Sequence, residues 1–299
     1  MMHAVVLGAA AGGGFPQWNS NAPGCRRARA GDPAALPRTQ TSVAVSGNGE
    51  TWIVLNASPD LRVQIERTRQ LHPRHGLRST PIAAVALTGA EVDSVAGLLT
   101  LRESQPFDLL ATAGTLAQLD RNPIFEVLRR DLVPRIAIAP DAPVAVESCG
   151  LRITAFAAPG KVPLYAETGL NDASDDATVG FEIGDGVRRL VFLPGCARLT
   201  DALLARLDGA DALLFDATLW RDDEMIRAGL GPKTGARMGH MSVSGPAGAI
   251  AGLRGIAVER RILIHLNNSN PLLLDDSPER REAEAAGWRV AFDGMAFVL

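Results

Sequence analysis

Short apolar runs alternate with segments of helical periodicity along the whole chain. Residues 81–87 form a continuous apolar run, which is typical of a strand buried on both faces. Residues 91–102 follow it with Val92, Val95 and Leu98 on one side of a predicted helix. The other predicted strands are residues 3–7, 42–45, 52–56, 135–139, 144–147, 151–157, 179–183, 189–193, 212–215, 261–266, 288–292 and 295–298. The other predicted helices are residues 58–71, 201–207, 245–253 and 278–286.

Local signals predict how these elements are joined. The Asn48-Gly49 pair, between the strands 42–45 and 52–56, predicts a hairpin. Ser58 is predicted to cap the helix that follows it, whereas residues 25–40 read as an irregular basic stretch. No fixed repeat and no long Pro/Gly linker divides the chain. We therefore expect a single domain over residues 1–299, with two mixed sheets between outer helices.

Composition and charge narrow the function classes. Hydrophobic residues make up 46% of the chain, charged residues 21%, and the formal net charge is −3. Such a chain can bury a large core, and it has no basic excess to neutralise a phosphate backbone, so nucleic acid is disfavoured as a partner. Gly and Pro interrupt every long apolar stretch, so we expect neither a secretory signal nor a membrane span. Three cysteines without short spacing fit a reducing, cytoplasmic location.

Side chains suited to metal binding follow several predicted strands. Glu91 and Asp93 come where the strand 81–87 turns into a helix. Carboxylates at that point can bind a cation, although acidic residues in the first turn of a helix are also common because they favour its dipole. Cys196 and Asp216 follow two further apolar strands. A free cysteine is more often a small buried apolar residue than a ligand, and a buried carboxylate needs partners or a cation.

Two histidines complete this set. His265 ends an apolar strand and opens into Asn267, Asn268, Ser269 and Asn270, which indicates either the floor of a polar pocket or a satisfied core histidine. His240 lies before the predicted helix 245–253, where Ser242 or Ser244 would be the cap and the helix dipole would favour neutral imidazole. Because strands of one sheet present their ends at a common edge, these side chains together predict one site. The loop Gly12–Gly14 fits neither common phosphate-binding glycine motif.

Six blocks of sequence carry a resemblance to a known family. They are VLGAAAGGGFPQWNSNAPGC, LTGAEVDSVAGLLTLRE, FLPGCA, FDATLW, GHMS and IHLNNSNP. As a set they resemble the PQQ synthesis protein B family over essentially the whole chain. The resemblance implies an α/β fold, an αββα metallo-β-lactamase-like sandwich with its site at one edge of the paired sheets. It also implies a role in making pyrroloquinoline quinone (PQQ) from a Glu-Tyr-containing precursor.

The chain departs from the motifs that this resemblance brings with it. The superfamily metal motif T-H-x-H-x-D-H-x-x-G reads here with Gly89, Glu91 and Ser94 in place of its histidines, and only Asp93 remains. Cys196 stands where many relatives have a bridging aspartate, so a standard dinuclear zinc hydrolase is not expected. Residues 19–25 keep one of the three thiols of the family's zinc knuckle, Cys25. A structural zinc needs about four ligands, so we predict none there.

The remaining donors indicate a mononuclear iron site. Asp93, His240 and His265 match the two-histidine, one-carboxylate set that suits non-haem Fe(II) and O₂. Glu91, Cys196 and Asp216 are further candidate ligands or supporting groups. The resemblance links the family to hydroxylation of the precursor's tyrosine ring, so an Fe(II)-dependent hydroxylase of a Glu-Tyr-derived molecule is the leading hypothesis.

Two other functions stay open. A metal-dependent hydrolase would cleave the precursor peptide with a metal-bound water and would not require O₂. A non-enzymatic carrier would move PQQ or its precursor toward the periplasm without turnover, and the lost histidines favour it. The Arg26-Arg27 pair is a candidate for attracting a substrate with several carboxylates, against the simpler interpretation of a solvated loop. A homodimer is compatible with all three functions.

Overall fold

Two seven-stranded sheets organise residues 1–160 and 178–299, the part of the chain that the computed structural model describes. The strands in chain order are β1 (His3–Gly8), β2 (Ser42–Ser46), β3 (Trp52–Leu55), β4 (Ile82–Ala86), β5 (Asp108–Ala111), β6 (Arg135–Ala137), β7 (Pro143–Val146), β8 (Leu151–Ala157), β9 (Val179–Gly184), β10 (Arg189–Leu193), β11 (Ala210–Asp216), β12 (Val258–Ile264), β13 (Trp288–Val290) and β14 (Ala296–Val298). The α-helices are α1 (Pro23–Arg29), α2 (Leu61–Arg67), α3 (Val92–Val95), α4 (Ala113–Asp120), α5 (Asp201–Leu207), α6 (Glu224–Arg227), α7 (Gly235–Met238), α8 (Ala249–Gly252) and α9 (Pro278–Ala285). Short 3₁₀ segments cover Arg69–Leu71, Ala96–Leu101, Pro123–Val127, Glu147–Cys149 and Pro271–Leu273.

The two sheets repeat one pattern of pairing. The first has the order β14-β1-β2-β3-β4-β5-β6, and the second has the order β13-β12-β11-β10-β9-β8-β7. In the first sheet β14, β1, β2 and β3 pair antiparallel, and β3, β4, β5 and β6 pair parallel. In the second, β7 to β10 pair antiparallel and β10 to β13 pair parallel. Each sheet therefore has a parallel half whose strand ends share one edge, the usual place for a site.

The core lies between the sheets and beneath the outer helices. Side chains alternate along β3: Ile53 and Leu55 join a large cluster that includes the second sheet, whereas Trp52 and Val54 join a smaller cluster with Leu61 of α2. The first sheet is thus covered on both faces, which explains its continuously apolar strands. The predicted hairpin is present, because β2 pairs antiparallel with β3 around Gly49, whose φ is +73°.

Several predicted helices differ from the observed elements. The predicted helix 91–102 is a single turn, α3, followed by the 3₁₀ segment Ala96–Leu101. Ser58 caps no helix, since α2 begins after Asp60 and the Ser58 hydroxyl donates to Gln64 Oε1. The stretch 25–40 is not wholly irregular, because Pro23 occupies the first turn of the seven-residue α1. Strand β5 and helix α4, which were not predicted, follow these elements. None of the helices within residues 1–160 and 178–299 has the length and apolar character of a membrane span.

Candidate metal centre

The parallel strands of both sheets end at a cavity of about 650 Å³. Asp93 reaches it from α3, beyond the end of β4, and Thr218 and His265 reach it beyond the ends of β11 and β12. His240 enters from the loop after α7. Asp93, His240 and His265, which are far apart in sequence, therefore meet in one cavity, as the strand-end argument predicts.

His265 is held in a backbone conformation that few residues adopt. It follows the last residue of β12 with a φ of +63°, in the left-handed region. A non-glycine residue there costs of order 1–3 kcal/mol and is kept only when its surroundings enforce it. The neighbouring Leu266 N–H donates to the Ala9 carbonyl at 3.0 Å and anchors this turn. In that conformation, His265 Nε2 lies 3.1 Å from Asp93 Oδ2.

His240 stacks on His265 and contacts a second carboxylate. The two ring centroids are 5.4 Å apart with an interplanar angle of 24°. His240 Nδ1 lies 2.7 Å from Asp216 Oδ2. The loop that carries His240 is tied to the end of β10, because the Met241 N–H donates to the Cys196 carbonyl at 2.7 Å. The two imidazoles are thus placed side by side by contacts from both β10 and β11.

The helix-dipole explanation for His240 is wrong. Helix α8 begins only at Ala249 and has no side-chain cap, and the Ser244 hydroxyl donates instead to the Trp220 carbonyl. Burial lowers the pKa of His240, but the charge and hydrogen bond of Asp216 outweigh burial and raise it overall. His240 is therefore governed by a carboxylate and not by a helix N-terminus.

Thr218, which the sequence did not single out, connects these groups. Its hydroxyl donates to Asp216 Oδ1 at 2.7 Å, and it lies 3.0 Å from His240 Nδ1 and 2.8 Å from His265 Nδ1. Because the single hydroxyl proton goes to Asp216, Thr218 meets both imidazoles as an acceptor. Each ring then donates from Nδ1, and Nε2 of His265 is hydrogen-bonded to Asp93, a contact that an ion bound to Nε2 would replace.

Asp216 has little capacity left for a metal ion. Its side chain is fully buried. One oxygen accepts from the Thr218 N–H and hydroxyl, and the other accepts from the Cys196 N–H and contacts His240 Nδ1. The charge and hydrogen bond of His240 lower the pKa of Asp216 against the opposing effect of burial. We interpret Asp216 as the carboxylate that orients His240, an arrangement common behind metal-binding histidines.

Two carboxylates lie beside the imidazoles. Donor atoms of Asp216, His240 and His265 all lie within 4.8 Å of one another, and Asp93 contacts this group through His265. Two atoms bound to one ion at roughly 2.0–2.2 Å are at most about 4.4 Å apart, and the 3.1 Å between Asp93 Oδ2 and His265 Nε2 is within that limit. Burial opposes the ionisation of Asp93, yet the hydrogen bond and charge of His265 lower its pKa overall. Asp216 is thus the carboxylate that converges with both imidazoles, but its oxygens already accept hydrogen bonds, so Asp93 stays the predicted carboxylate ligand.

The other candidate ligands lie less favourably. The Cys196 thiol donates to the Arg198 carbonyl at 3.2 Å, and burial together with the nearby charge of Asp216 raises its pKa to about 12. A thiol with so high a pKa resists forming the thiolate that binds metal. Glu91 lines the cavity, and Ser94 lines it where the family motif has a histidine. The metal-ligand assignments of all six candidates remain predictions.

The N-terminal candidates lie outside this cavity. Cys25 is buried, with its Sγ 3.7 Å from Asn268 Oδ1, and the absence of a structural zinc there stays a prediction. Arg27 forms ion pairs with Asp32 and Asp276 at 2.6 and 2.7 Å. The Arg26 guanidinium donates to a backbone carbonyl, and neither arginine lines the cavity, so the geometry does not favour this pair as a substrate site.

Comparison with known proteins assigns the family. A model described as the Beta-lactamase superfamily domain matches residues 51–266. The chain is 64% identical over 303 aligned positions to a Coenzyme PQQ synthesis protein B of Gluconacetobacter diazotrophicus, covering 99% of each chain. The chain belongs to the PQQ synthesis protein B family. A second member, from Methylorubrum populi, is 54% identical and is covered over 100% of both chains.

Solved structures agree with this family and its fold. The structure of Zn²⁺-bound PqqB from Methylobacterium extorquens matches with a TM-score of 0.95 at 52% identity, over 99% of this chain and 100% of that one. A diphosphatase of the PhnP family matches with a TM-score of 0.66 at 17% identity, over 100% and 98% of the two chains, and shows the fold alone. The PQQ synthesis protein B family and the metallo-β-lactamase-like fold, both expected from the sequence motifs, are confirmed.

Proposed function

We propose that this chain acts in PQQ biosynthesis as a non-haem iron-dependent hydroxylase of the tyrosine ring in a Glu-Tyr-derived precursor. Family membership supports the pathway, since its relatives are named for PQQ synthesis. The observation that carries the reaction type is the pairing of Asp93 and His265 beside the stacked His240. Two imidazoles and one carboxylate leave coordination positions open, which suits Fe(II) and O₂.

Each residue would have a distinct task in this reaction. Asp93, His240 and His265 would hold the ion, which when bound supplies the binding and activation of O₂. Asp216 and Thr218 would hold the imidazole protons on Nδ1 and leave Nε2 of each ring for the ion, which on His265 would replace the hydrogen bond to Asp93. In the balanced reaction one ring C–H becomes C–OH. The second oxygen atom leaves as water, after taking two protons and two electrons from an added reductant.

Zinc-dependent hydrolysis is a second candidate. The observation that favours it is the Zn²⁺-bound state of the related PqqB from Methylobacterium extorquens. Imidazole and carboxylate ligands accept zinc as well as iron, and zinc would activate water and not O₂. A peptide precursor would then be cleaved without oxidation. Cytoplasmic location, a homodimeric assembly and the absence of nucleic-acid and membrane partners remain part of the proposal.

Anaerobic reconstitution separates these functions. Protein loaded with Fe(II) is mixed with the dipeptide Glu-Tyr and ascorbate, exposed to O₂, and analysed by mass spectrometry. We expect a product heavier by one oxygen atom, with none from the Zn²⁺-loaded protein or from Asp93→Ala. Cleaved peptide from the Zn²⁺-loaded protein without O₂ would support the hydrolase instead. Binding without any product in either sample would contradict both enzymatic functions and favour a carrier.

A further inference from the structure

Lys233 is the cationic side chain that lines the cavity in the described part of the chain. It lies in the loop between α6 and α7, and the next residue, Thr234, caps α7 by accepting from the Arg237 N–H. The start of α7 is also fixed by Asp222, whose carbonyl accepts from the Gly235 N–H at 2.9 Å. Lys233 is therefore carried by a constrained segment of backbone and not by a free loop tip.

Among the described residues, the ammonium group of Lys233 has no hydrogen-bond or ion-pair partner, and the residue is only partly exposed. The arginines near the N-terminal loop, by contrast, are already bound to carboxylates or carbonyls. The ammonium group of a lysine offers three hydrogen-bond donors, and an anionic ligand would satisfy them.

Lys233 and His240 line the same cavity on either side of α7 in the sequence. The chain turns back after this helix, because the His240 N–H donates to the Gly235 carbonyl at 3.0 Å. Apolar groups line the cavity as well, among them Met238 of α7 and Val92, which is 60% exposed. A ligand that lies against the imidazoles therefore shares its cavity with the side chain of Lys233.

We propose that Lys233 binds a carboxylate of the substrate and thereby selects an anionic ligand, with its aromatic ring toward His240 and His265. This inference rests on the proposed function for the identity of the ring that reacts. Asp93 is a predicted ligand of the ion, which would offset its charge, and Lys233 is the cationic side chain of the described cavity lining that is not assigned to the ion. The carboxylate of the ligand is therefore assigned to Lys233 and its ring to the imidazoles.

A binding comparison tests Lys233 without requiring turnover. The dissociation constants of Glu-Tyr and of its carboxylate-free analogue, Gln-Tyr amide, are measured by calorimetry for the wild type, Lys233→Met, Lys233→Arg and Arg221→Met. Arg221 is exposed, lies outside this cavity and controls for the loss of one positive charge. We expect wild type, Lys233→Arg and Arg221→Met to prefer Glu-Tyr by about ten- to a hundredfold, and Lys233→Met to lose that preference.

The outcomes separate this inference from the proposed function. An unchanged preference for Glu-Tyr in Lys233→Met, with thermal unfolding like that of the wild type, would overturn the role of Lys233 even if ring hydroxylation is observed. Binding of neither peptide by the wild type would overturn it as well. A preference that disappears only in Lys233→Met supports the role of Lys233 even if no oxygenated product forms, and in that case the hydroxylase proposal alone fails.

Discussion

At the scale of single residues, the site is decided by which carboxylate still has free oxygens. Asp216 is fully buried and both of its oxygens already accept hydrogen bonds from Cys196, Thr218 and His240. Asp93 is 19% exposed, and within the described part of the chain its Oδ2 is hydrogen-bonded to the imidazole of His265. The burial of a charged group is costly unless it is paired, so these two carboxylates should respond differently to substitution.

Asp93→Ala should therefore remove the bound ion while the protein stays folded, because the variant loses a ligand and also loses a buried charge. Asp216→Asn should keep the ion with about ten- to a hundredfold lower affinity, since it alters only the group behind His240. Asp216→Asn should also lower the unfolding temperature, because its buried partners lose a charged acceptor. Metal content by plasma mass spectrometry and thermal unfolding measure both effects. Retained metal in Asp93→Ala, with metal lost from Asp216→Asn, would reverse the two roles.

Glu224 makes stability depend on pH. Burial raises its pKa from 4.5 to about 7, although it accepts from the Ser269 hydroxyl and the Trp220 N–H. The folded protein thus holds this proton more tightly than the unfolded chain does. The free energy of unfolding therefore carries no penalty from Glu224 below about pH 4.5, where the group is protonated in both states. It falls as the pH rises and the buried carboxyl is forced to ionise, and the loss is complete above about pH 7.

Glu224→Gln should remove that dependence. Relative to the wild type, the variant should gain about 1–3 kcal/mol in unfolding free energy between pH 5 and pH 8. Urea unfolding at the two pH values gives the difference. Glu259→Gln, at a carboxylate that is 59% exposed, serves as the control and should change by much less. Equal behaviour of the two variants would show that Glu224 is not the titrating group.

At the scale of secondary-structure elements, Gly97 fixes the position of the helical turn that carries Asp93. Its N–H donates to the Ala57 carbonyl at 2.8 Å, and a Cβ there would lie 2.0 Å from the Ser58 carbonyl oxygen. Backbone cannot move aside as a flexible side chain can, so Gly97→Ala should destabilise the protein by more than about 2 kcal/mol. Gly255→Ala, where no atom lies within 4 Å, should change stability by less than about 1 kcal/mol. Chemical denaturation of both variants measures this contrast, and similar stabilities would contradict it.

Elements specified by their own local pattern could be predicted from the sequence, whereas an element shaped by a distant contact such as that of Gly97 could not. A strand with a continuous apolar run and a helix with its own cap were predicted well, as Ile82–Ala86 and Asp201–Leu207 show. The helical period of residues 91–102 continues past Val95, but packing of Gly97 against the Ser58 backbone converts Ala96–Leu101 into 3₁₀ helix. A local pattern cannot report such a contact, because it joins segments that are distant in sequence.

The sequence also predicted only those residues of the site that have a local pattern. An apolar strand precedes each of Asp93, Asp216 and His265, and parallel strands end at a common edge. Thr218 could not, because one hydroxyl in a mostly apolar segment has no distinguishing pattern, and its importance depends on two imidazoles from other elements. The role of Lys233 likewise depends on which side chains surround it, which only the folded chain reveals.

At the scale of the whole molecule, the cavity lies where the parallel halves of the two sheets end together. Asp93 belongs to the first sheet's edge, whereas Asp216 and His265 belong to the second, so the contact between Asp93 and His265 joins the two halves of the chain. The C-terminal segment also contacts the N-terminal segment, since the Asp293 carboxylate accepts from the Thr39 N–H and from the Ala9 N–H. The proposed site therefore depends on the two sheets keeping their relative position, which holds Asp93 against His265.

One domain over residues 1–299 remains a prediction, and cooperative unfolding would test it. A single hydrophobic cluster contains Ile53 and Leu55 of the first sheet together with Phe181 and Phe192 of the second. Because these side chains share one core, separating the sheets would expose apolar surface on both, at about 25 cal/mol per Å². We therefore expect one calorimetric transition, with calorimetric and van't Hoff enthalpies that agree. Two resolved transitions, with proteolysis between them releasing a folded half of the chain, would mean that the two sheets form independent units.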